Sequence, residues 1–136
     1  MVQFQYVEHL NPDLIFTDGG TIGGSPGNAI YYSMKDPTGF IHRYSSENYS
    51  RASAAEASGL LAALSWVESQ GNPSTPYTIY LDSRTLVSRV NGHCDPERGH
   101  PLERKALQLF HLLQLRGFRI RIDWSPRETL ESELGH

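Results

Sequence analysis

The sequence has little cysteine and no long apolar run, and each absence excludes a class of protein. Its 136 residues include a single cysteine, Cys94, which excludes an internal disulfide and a zinc site built on several cysteines. No apolar stretch approaches the roughly 20 residues that a membrane-spanning helix needs, and the N-terminus lacks the pattern of a signal peptide. We therefore expect a cytoplasmic protein with no membrane contact, and the lone cysteine fits a reducing compartment.

An excess of positive charge is also missing. The chain carries 12 Lys and Arg against 15 Asp and Glu, a formal net charge of -3, whereas a protein that coats DNA non-specifically is normally basic. If nucleic acid is the partner, the basic side chains must be clustered and metal ions must offset acidic charge at the site. Nothing indicates an obligate protein partner, so we expect a monomer.

The length and the hydrophobic content of 38% predict one domain over residues 1–136 with a real core. Residues 1–11 are predicted to be an N-terminal arm or an extra strand. Hydrophobic periodicity predicts strands at 13–17, 28–34, 40–49, 77–81 and 118–124, and helices at 53–69, 83–90, 101–115 and from 129 onwards. The glycine-rich segment 19–27 is predicted to be a turn or loop, and Ser53 with Glu56 has the pattern of a helix capping box.

This order of elements predicts an α/β (α+β) fold. The first three strands follow each other closely and should form an antiparallel meander. Strands that are separated by helices become parallel neighbours through right-handed crossovers. We therefore expect a mixed five-stranded sheet, flanked by helices, in which the first and fourth strands are neighbours.

Three carboxylates stand where this fold would bring them together. Asp18 ends the first predicted strand, Asp82 ends the fourth, and Glu56 lies in the first turn of the first helix. Each has an ordinary explanation when taken alone, as a turn residue or a helix cap. Together they would repel strongly unless a dication joined them, and oxygen ligands favour Mg²⁺ or Mn²⁺ over zinc.

Four short motifs, in this order and over nearly the full chain, resemble the ribonuclease H type 1 family. They are Phe16-Thr17-Asp18-Gly19-Gly20, Ala55-Glu56-Ala57 with Ala62-Ala63-Leu64, Leu81-Asp82-Ser83, and Trp124-Ser125-Pro126-Arg127-Glu128. The resemblance implies the same mixed sheet and a nuclease that cuts the RNA strand of RNA–DNA hybrids with two divalent ions, leaving 5′-phosphate and 3′-hydroxyl ends. It also implies that Asp18, Glu56 and Asp82 are catalytic metal ligands.

The resemblance calls for a fourth ligand, which in the family is an Asp of the last helix. If Ser132 to His136 is taken as the motif, that position falls on His136, whose imidazole suits Mn²⁺ better than Mg²⁺. Glu133 and Glu131 are the alternatives, and a further alternative is that His136 has no role.

Substrate contacts are expected from residues beside the three carboxylates: Gly19, Gly20, Arg51, Ser53, Ser83, Arg84 and Arg127. Arg127 stands where many family members carry a histidine. Arg119 and Arg121 are predicted to form a solvated strand face, and Trp124 to pack in or near the core. Two other functions stay open: a different nuclease on the same fold, such as a resolvase or exonuclease, or a protein that binds hybrid through a degraded catalytic site.

Overall fold

The computed structural model describes residues 11–23, 29–49, 51–93 and 100–135, and in them the chain forms one mixed sheet with helices on both faces. The strands are β1 (Asp13–Ile22), β2 (Ala29–Lys35), β3 (Ile41–Ser46), β4 (Pro76–Leu81) and β5 (Arg119–Trp124), and the helices are α1 (Ala52–Gln70), α2 (Arg84–Val90), α3 (Pro101–Leu115) and α4 (Arg127–Glu133). The strand order is β3-β2-β1-β4-β5. Pairing is antiparallel from β1 to β3 and parallel for β1–β4 and β4–β5, which confirms the predicted fold class and the predicted neighbours.

The first strand runs to Ile22, so the prediction that a loop begins at Gly19 was wrong. Pairing explains the difference: β1 pairs with β4 only from Asp13 to Phe16, whereas its pairing with β2 covers Phe16 to Ile22. Two glycines do not end a strand whose backbone hydrogen bonds to a neighbour continue. Asp18 therefore lies inside β1, two residues past the end of the parallel pairing, on the side where β4 has stopped.

The main core lies between one face of the sheet and α1. Ile15 of β1 and Ile79 of β4 pack in one hydrophobic cluster with Leu60, Leu64 and Val67 of α1, and all five side chains are fully buried. The apolar stripe of α3 joins the same cluster. Since burial of one such side chain contributes roughly 1.5–3 kcal/mol, this cluster fixes α1 firmly across the sheet.

The short helix α4 lies on the opposite face. Met34 of β2 belongs to the core beneath α1, whereas the next residue, Lys35, forms an ion pair with Glu133 of α4 at 3.0 Å. Successive side chains of a strand point to opposite faces, so α1 and α4 sandwich the sheet. Leu130 and Leu134, one turn apart, are fully buried and form the side of α4 that faces the sheet.

The sequence predicted some helix ends correctly and others wrongly. The bounds predicted for α3, Pro101–Leu115, are confirmed, and Gly117 takes the positive φ of 93° that favours glycine after a helix. The predicted capping box of α1 was wrong, because α1 begins at Ala52 with Arg51 as N-cap and without a side-chain capping bond. Among the described helices, none has both the length and the apolar character that crossing a bilayer requires.

Candidate metal-binding active site

The structure brings the three predicted carboxylates to one small cleft. Asp18, Glu56 and Asp82 line it, and the remaining lining residues are Thr17, Gly19, Leu81 and Ser83. Asp18 comes from β1, Glu56 from the first turns of α1, and Asp82 from the residue after β4. Residues that lie far apart in the sequence thus meet where the parallel pairing of β1 with β4 ends.

Glycine at position 19 lets α1 come close enough to supply Glu56. A Cβ atom on Gly19 would lie 2.6 Å from the carbonyl oxygen of Ala55, the residue before Glu56. Real Cβ atoms do not approach backbone that closely, so any larger residue would push α1 away from β1. A Cβ on Gly59, one turn further along α1, would lie 3.5 Å from its nearest neighbours, which is an ordinary contact.

Electrostatics at the cleft oppose three negative charges. Burial raises the pKa of Glu56, and the nearby charges of Asp82 and Asp18 raise it further. A hydrogen bond with the Ser83 side chain and the charge of Arg127 act in the opposite direction without cancelling the rise. The cleft therefore stabilises positive charge, whether from a proton, a guanidinium or a metal ion.

The guanidinium of Arg127 forms an ion pair with Asp82. The Nε atom of Arg127 donates to the Asp82 carboxylate at 2.9 Å, and the Arg127 side chain keeps 65% exposure. This contact raises the pKa of Arg127, as do the charges of Asp18 and Glu131. Arg127 thus stands at the rim of the cleft, paired with one carboxylate and close to two others.

Trp124 is half-buried, in line with its predicted packing role, but its contacts with the residues beside the cleft were not predicted. Its indole N–H donates to the backbone carbonyl of Asp82 at 3.1 Å, and the guanidinium carbon of Arg84 lies 4.0 Å from the centre of its ring. One signal was present in the sequence: a tryptophan at the end of the last strand, which parallel pairing places opposite Leu81.

The candidates for a fourth acidic ligand divide between the two flanks of α4. Glu133 is paired with Lys35, and the end of the helix turns towards β3, where Arg43 donates to the carbonyl of Leu134 at 2.9 Å. Glu131 lies one helical turn after Arg127, and its charge helps to raise the pKa of Arg127. The prediction for His136 lies outside the described residues.

Two of the predicted substrate-binding residues lie in the lining of the cleft, and others lie on the same elements as its carboxylates. Gly19 and Ser83 line it, Arg51 is exposed at the start of α1, and Ser53 lies half-buried within its first turn. Gly20 faces the hydroxyl of Tyr31, which a Cβ atom at position 20 would meet at 2.6 Å. The substrate-binding roles of these residues stay predictions.

The prediction for the far strand face holds, since Arg119 and Arg121 are both exposed. Arg119 donates to the carbonyl of Ser74 at 2.7 Å, and Arg121 pairs with Asp123 at 3.1 Å. These contacts occupy both guanidinium groups on the surface of β5.

The donor set of the cleft suits a hard dication. Within the described part of the chain, no group of three His, Cys, Asp or Glu side chains is close enough to hold a metal ion as it stands. The cleft nevertheless offers carboxylate oxygens, which Mg²⁺ and Mn²⁺ prefer, and burial together with the charges of Asp82 and Asp18 raises the pKa of Glu56. The donor atoms of the cleft thus fit such an ion by their chemistry.

The mixed sheet, its strand order and the helices on both faces define a ribonuclease H fold. No protein-family model and no curated protein sequence matches this chain. Solved structures do match. The N-terminal RNase H domain of a Mycobacterium tuberculosis protein superposes with a TM-score of 0.65 at 20% identity, over 88% of this chain and 85% of that one.

Two further structures agree. RNase H1 from the archaeon Halobacterium salinarum gives a TM-score of 0.59 at 24% identity, over 89% of this chain and 90% of that one. LC11-RNase H1, isolated from compost by a metagenomic approach and solved in complex with an RNA/DNA hybrid, gives 0.61 at 21% identity, with 88% of each chain covered. The chain therefore has the fold of type 1 ribonucleases H, as its four motifs predicted.

Proposed function

We propose that this protein is a metal-dependent endoribonuclease that hydrolyses the RNA strand of RNA–DNA hybrids and leaves 5′-phosphate and 3′-hydroxyl ends. The observation that carries the proposal is the convergence of Asp18, Glu56 and Asp82 on one cleft of this fold. The hybrid bound to LC11-RNase H1, a structure of the same fold, supports the choice of substrate. Fold alone does not determine function, so the argument depends on the cleft.

Asp18, Glu56 and Asp82 are the proposed ligands of two Mg²⁺ or Mn²⁺ ions. When bound, the ions lower the pKa of an attacking water and stabilise the leaving 3′-oxygen. The three carboxylates are attached to regular elements or their ends, β1, α1 and β4. Binding of the ions therefore does not have to fold the site. Ser83 lines the cleft beside Glu56, and Glu56 would accept a hydrogen bond from a ribose 2′-hydroxyl, the group that distinguishes RNA from DNA.

For the fourth ligand we propose Glu131. It lies on the flank of α4 that carries Arg127, which touches Asp82, whereas the Glu133 carboxylate is held by Lys35. Glu131→Gln should then weaken Mn²⁺ binding and hybrid cleavage, while Glu133→Gln, the matched control, should leave metal affinity near the wild-type value. Calorimetric titration with Mn²⁺ alone measures this, and equal losses in both variants would exclude Glu131.

Positive and polar groups around the cleft would hold the nucleic acid. Arg51, Arg84 and Arg127 are proposed phosphate contacts, and the backbone amides of Gly19 and Gly20 and the hydroxyls of Ser53 and Ser83 are proposed polar contacts. The start of α1, which has no side-chain cap, adds backbone N–H groups that favour phosphate. Because phosphate contacts release counterions, hybrid affinity should fall steeply with salt.

A second candidate is a protein that binds hybrid without cutting it. The ion pair of Arg127 with Asp82, which gives one of the three carboxylates a guanidinium as its partner, favours it. Asp18→Asn separates the two candidates. An enzyme should lose hybrid cleavage in Mg²⁺ and Mn²⁺ while its circular dichroism stays unchanged, whereas a binding protein has no such activity to lose.

A further inference from the structure

The segment that follows β4 is anchored at three successive residues. The backbone carbonyl of Asp82 accepts the Trp124 indole N–H at 3.1 Å. The hydroxyl of Ser83 accepts the N–H of Leu86 at 3.2 Å and thereby caps α2. The guanidinium of Arg84 stacks on the Trp124 ring at 4.0 Å. One side chain, Trp124, therefore holds the residues on both sides of Ser83.

Strand register places Trp124 at this point. β4 and β5 run parallel with Leu81 opposite Trp124, and Ser125 continues the pairing by donating its N–H to the carbonyl of Leu81 at 2.8 Å. The carbonyl of Asp82 lies just beyond the last strand pair, where a backbone group needs another donor. The indole N–H supplies it, and this sets the direction in which the chain, and with it the Asp82 side chain, leaves the strand.

The stacked guanidinium is suited to receive a phosphate. An arginine that stacks on an aromatic ring keeps its N–H groups in the plane of the guanidinium, where they can form two parallel hydrogen bonds to an anion. Arg84 is exposed and forms no salt bridge with any residue that the structure describes. Arg127, on the other side of Asp82, is already paired with a carboxylate. Of these two arginines beside Asp82, Arg84 is thus the one without a carboxylate partner among the described residues.

We propose that Trp124 is a positioning residue that couples substrate binding to the carboxylate cleft. Its ring holds Arg84 as the arm that binds one backbone phosphate of the nucleic acid, and its N–H fixes the Asp82 backbone. A phosphate bound at Arg84 is then held at a fixed position relative to the Asp82 carboxylate. This inference rests on the proposed nucleic-acid function and adds a residue that acts through two others.

Variants of Trp124 separate its two contacts. Trp124→Phe keeps an aromatic face for Arg84 and loses the N–H, whereas Trp124→Leu loses both; Arg84→Gln removes the cation alone. Arg119→Gln is the matched control, because Arg119 is an exposed arginine at the opposite end of β5. Hybrid binding is measured by fluorescence anisotropy at several salt concentrations, with each variant combined with Asp18→Asn. The values of kcat and KM are measured without the Asp18→Asn substitution. Thermal unfolding shows whether each variant is folded.

The expected results differ between variants. Arg84→Gln and Trp124→Leu should each reduce the slope of log affinity against log salt by about 0.9, the value of one phosphate, and their combination should reduce it no further. Trp124→Phe should keep the slope and KM and lower kcat about tenfold. Arg119→Gln should change none of these. A tryptophan with a merely structural role would lower the unfolding temperature and leave both the slope and the division between kcat and KM unchanged.

Three outcomes overturn the inference: an unchanged salt slope in Arg84→Gln and Trp124→Leu, slope changes that add in the double variant, or a Trp124→Phe enzyme whose kcat equals that of the wild type. Failure of the proposed reaction is recognisable separately. If the wild-type protein binds hybrid and cuts nothing, the reaction is wrong, and the salt slopes still decide whether Arg84 and Trp124 form one binding unit. If the wild-type protein does not bind hybrid, both proposals are wrong.

Discussion

At the scale of single residues, the cleft depends on how closely α1 approaches β1. Gly19 permits that approach, since a Cβ there would lie 2.6 Å from the Ala55 carbonyl oxygen. Gly19→Ala should lower the free energy of unfolding by about 1–3 kcal/mol through overpacking, and it should impair hybrid cleavage by moving Glu56 away from Asp18.

The control lies in the same contact region. Gly59→Ala adds a methyl group at ordinary contact distance and removes a glycine from a helix interior, which should raise stability by about 0.5–1 kcal/mol. Urea unfolding of both variants measures the difference. A Gly19→Ala protein as stable and as active as the wild type would show that the contact between α1 and β1 is not tight.

A second single-residue effect concerns pH. Burial disfavours the charged form of Asp36, but hydrogen bonds from the Thr38 side chain, the His42 ring and the Thr38 amide outweigh it and hold the pKa of Asp36 below its ordinary value. A lowered folded-state pKa adds stability above the unfolded-state pKa, about 3.9, and that stability is lost as pH falls through the folded-state value.

Asp36→Asn should therefore destabilise the protein at pH 6, and the difference from wild type should shrink as pH falls below about 4. Thermal unfolding between pH 3 and pH 7 tests this. A difference that is the same at pH 3 and pH 6 would mean that the charge of Asp36 contributes nothing.

At the scale of elements, a buried ion pair joins α2 to α3. The Nη1 atom of Arg89 lies 3.0 and 2.8 Å from the two carboxylate oxygens of Glu103, whose side chain is 7% exposed. Arg89→Met should destabilise the protein by about 3 kcal/mol, since it leaves a buried carboxylate without its partner.

The matched control is Arg116→Met, which breaks the exposed pair of Arg116 with Glu68. An exposed pair contributes about 1 kcal/mol or less, so this variant should unfold close to wild type in urea. Equal losses in Arg89→Met and Arg116→Met would contradict the account of the α2–α3 contact.

Sequence periodicity predicted elements whose signals are local. Proline at the start, a regular apolar stripe and a glycine after the end gave α3 its bounds, because each signal acts within one or two turns. The start of α1 was misplaced, since Glu56 faces Ser83 and the acidic cleft instead of capping its own helix. The length of β1 was underestimated, because pairing with β2, a long-range interaction, carries the strand through Gly19 and Gly20.

At the scale of the whole molecule, the topology explains why the three carboxylates were predictable and some of the contacts around them were not. Parallel pairing of β1 and β4 brings Asp18 and Asp82 to one end of the sheet, as the order of elements implied. The contacts of Trp124 depend on the register of β5, and the division of Glu131 and Glu133 between the flanks of α4 depends on where Leu130 and Leu134 meet the sheet. No local pattern encodes these relations.

The central claim is that the cleft hydrolyses RNA only when RNA is paired with DNA. The most direct measurement incubates the wild-type protein with Mg²⁺ or Mn²⁺ and four substrates of one sequence: an RNA–DNA hybrid labelled in either strand, duplex RNA and duplex DNA. We predict internal cuts in the RNA strand of the hybrid alone, with 5′-phosphate and 3′-hydroxyl ends and no cleavage in chelator or by Asp18→Asn. Cleavage of duplex DNA, cutting that proceeds only from strand ends, or an intact hybrid in both metals would contradict the account.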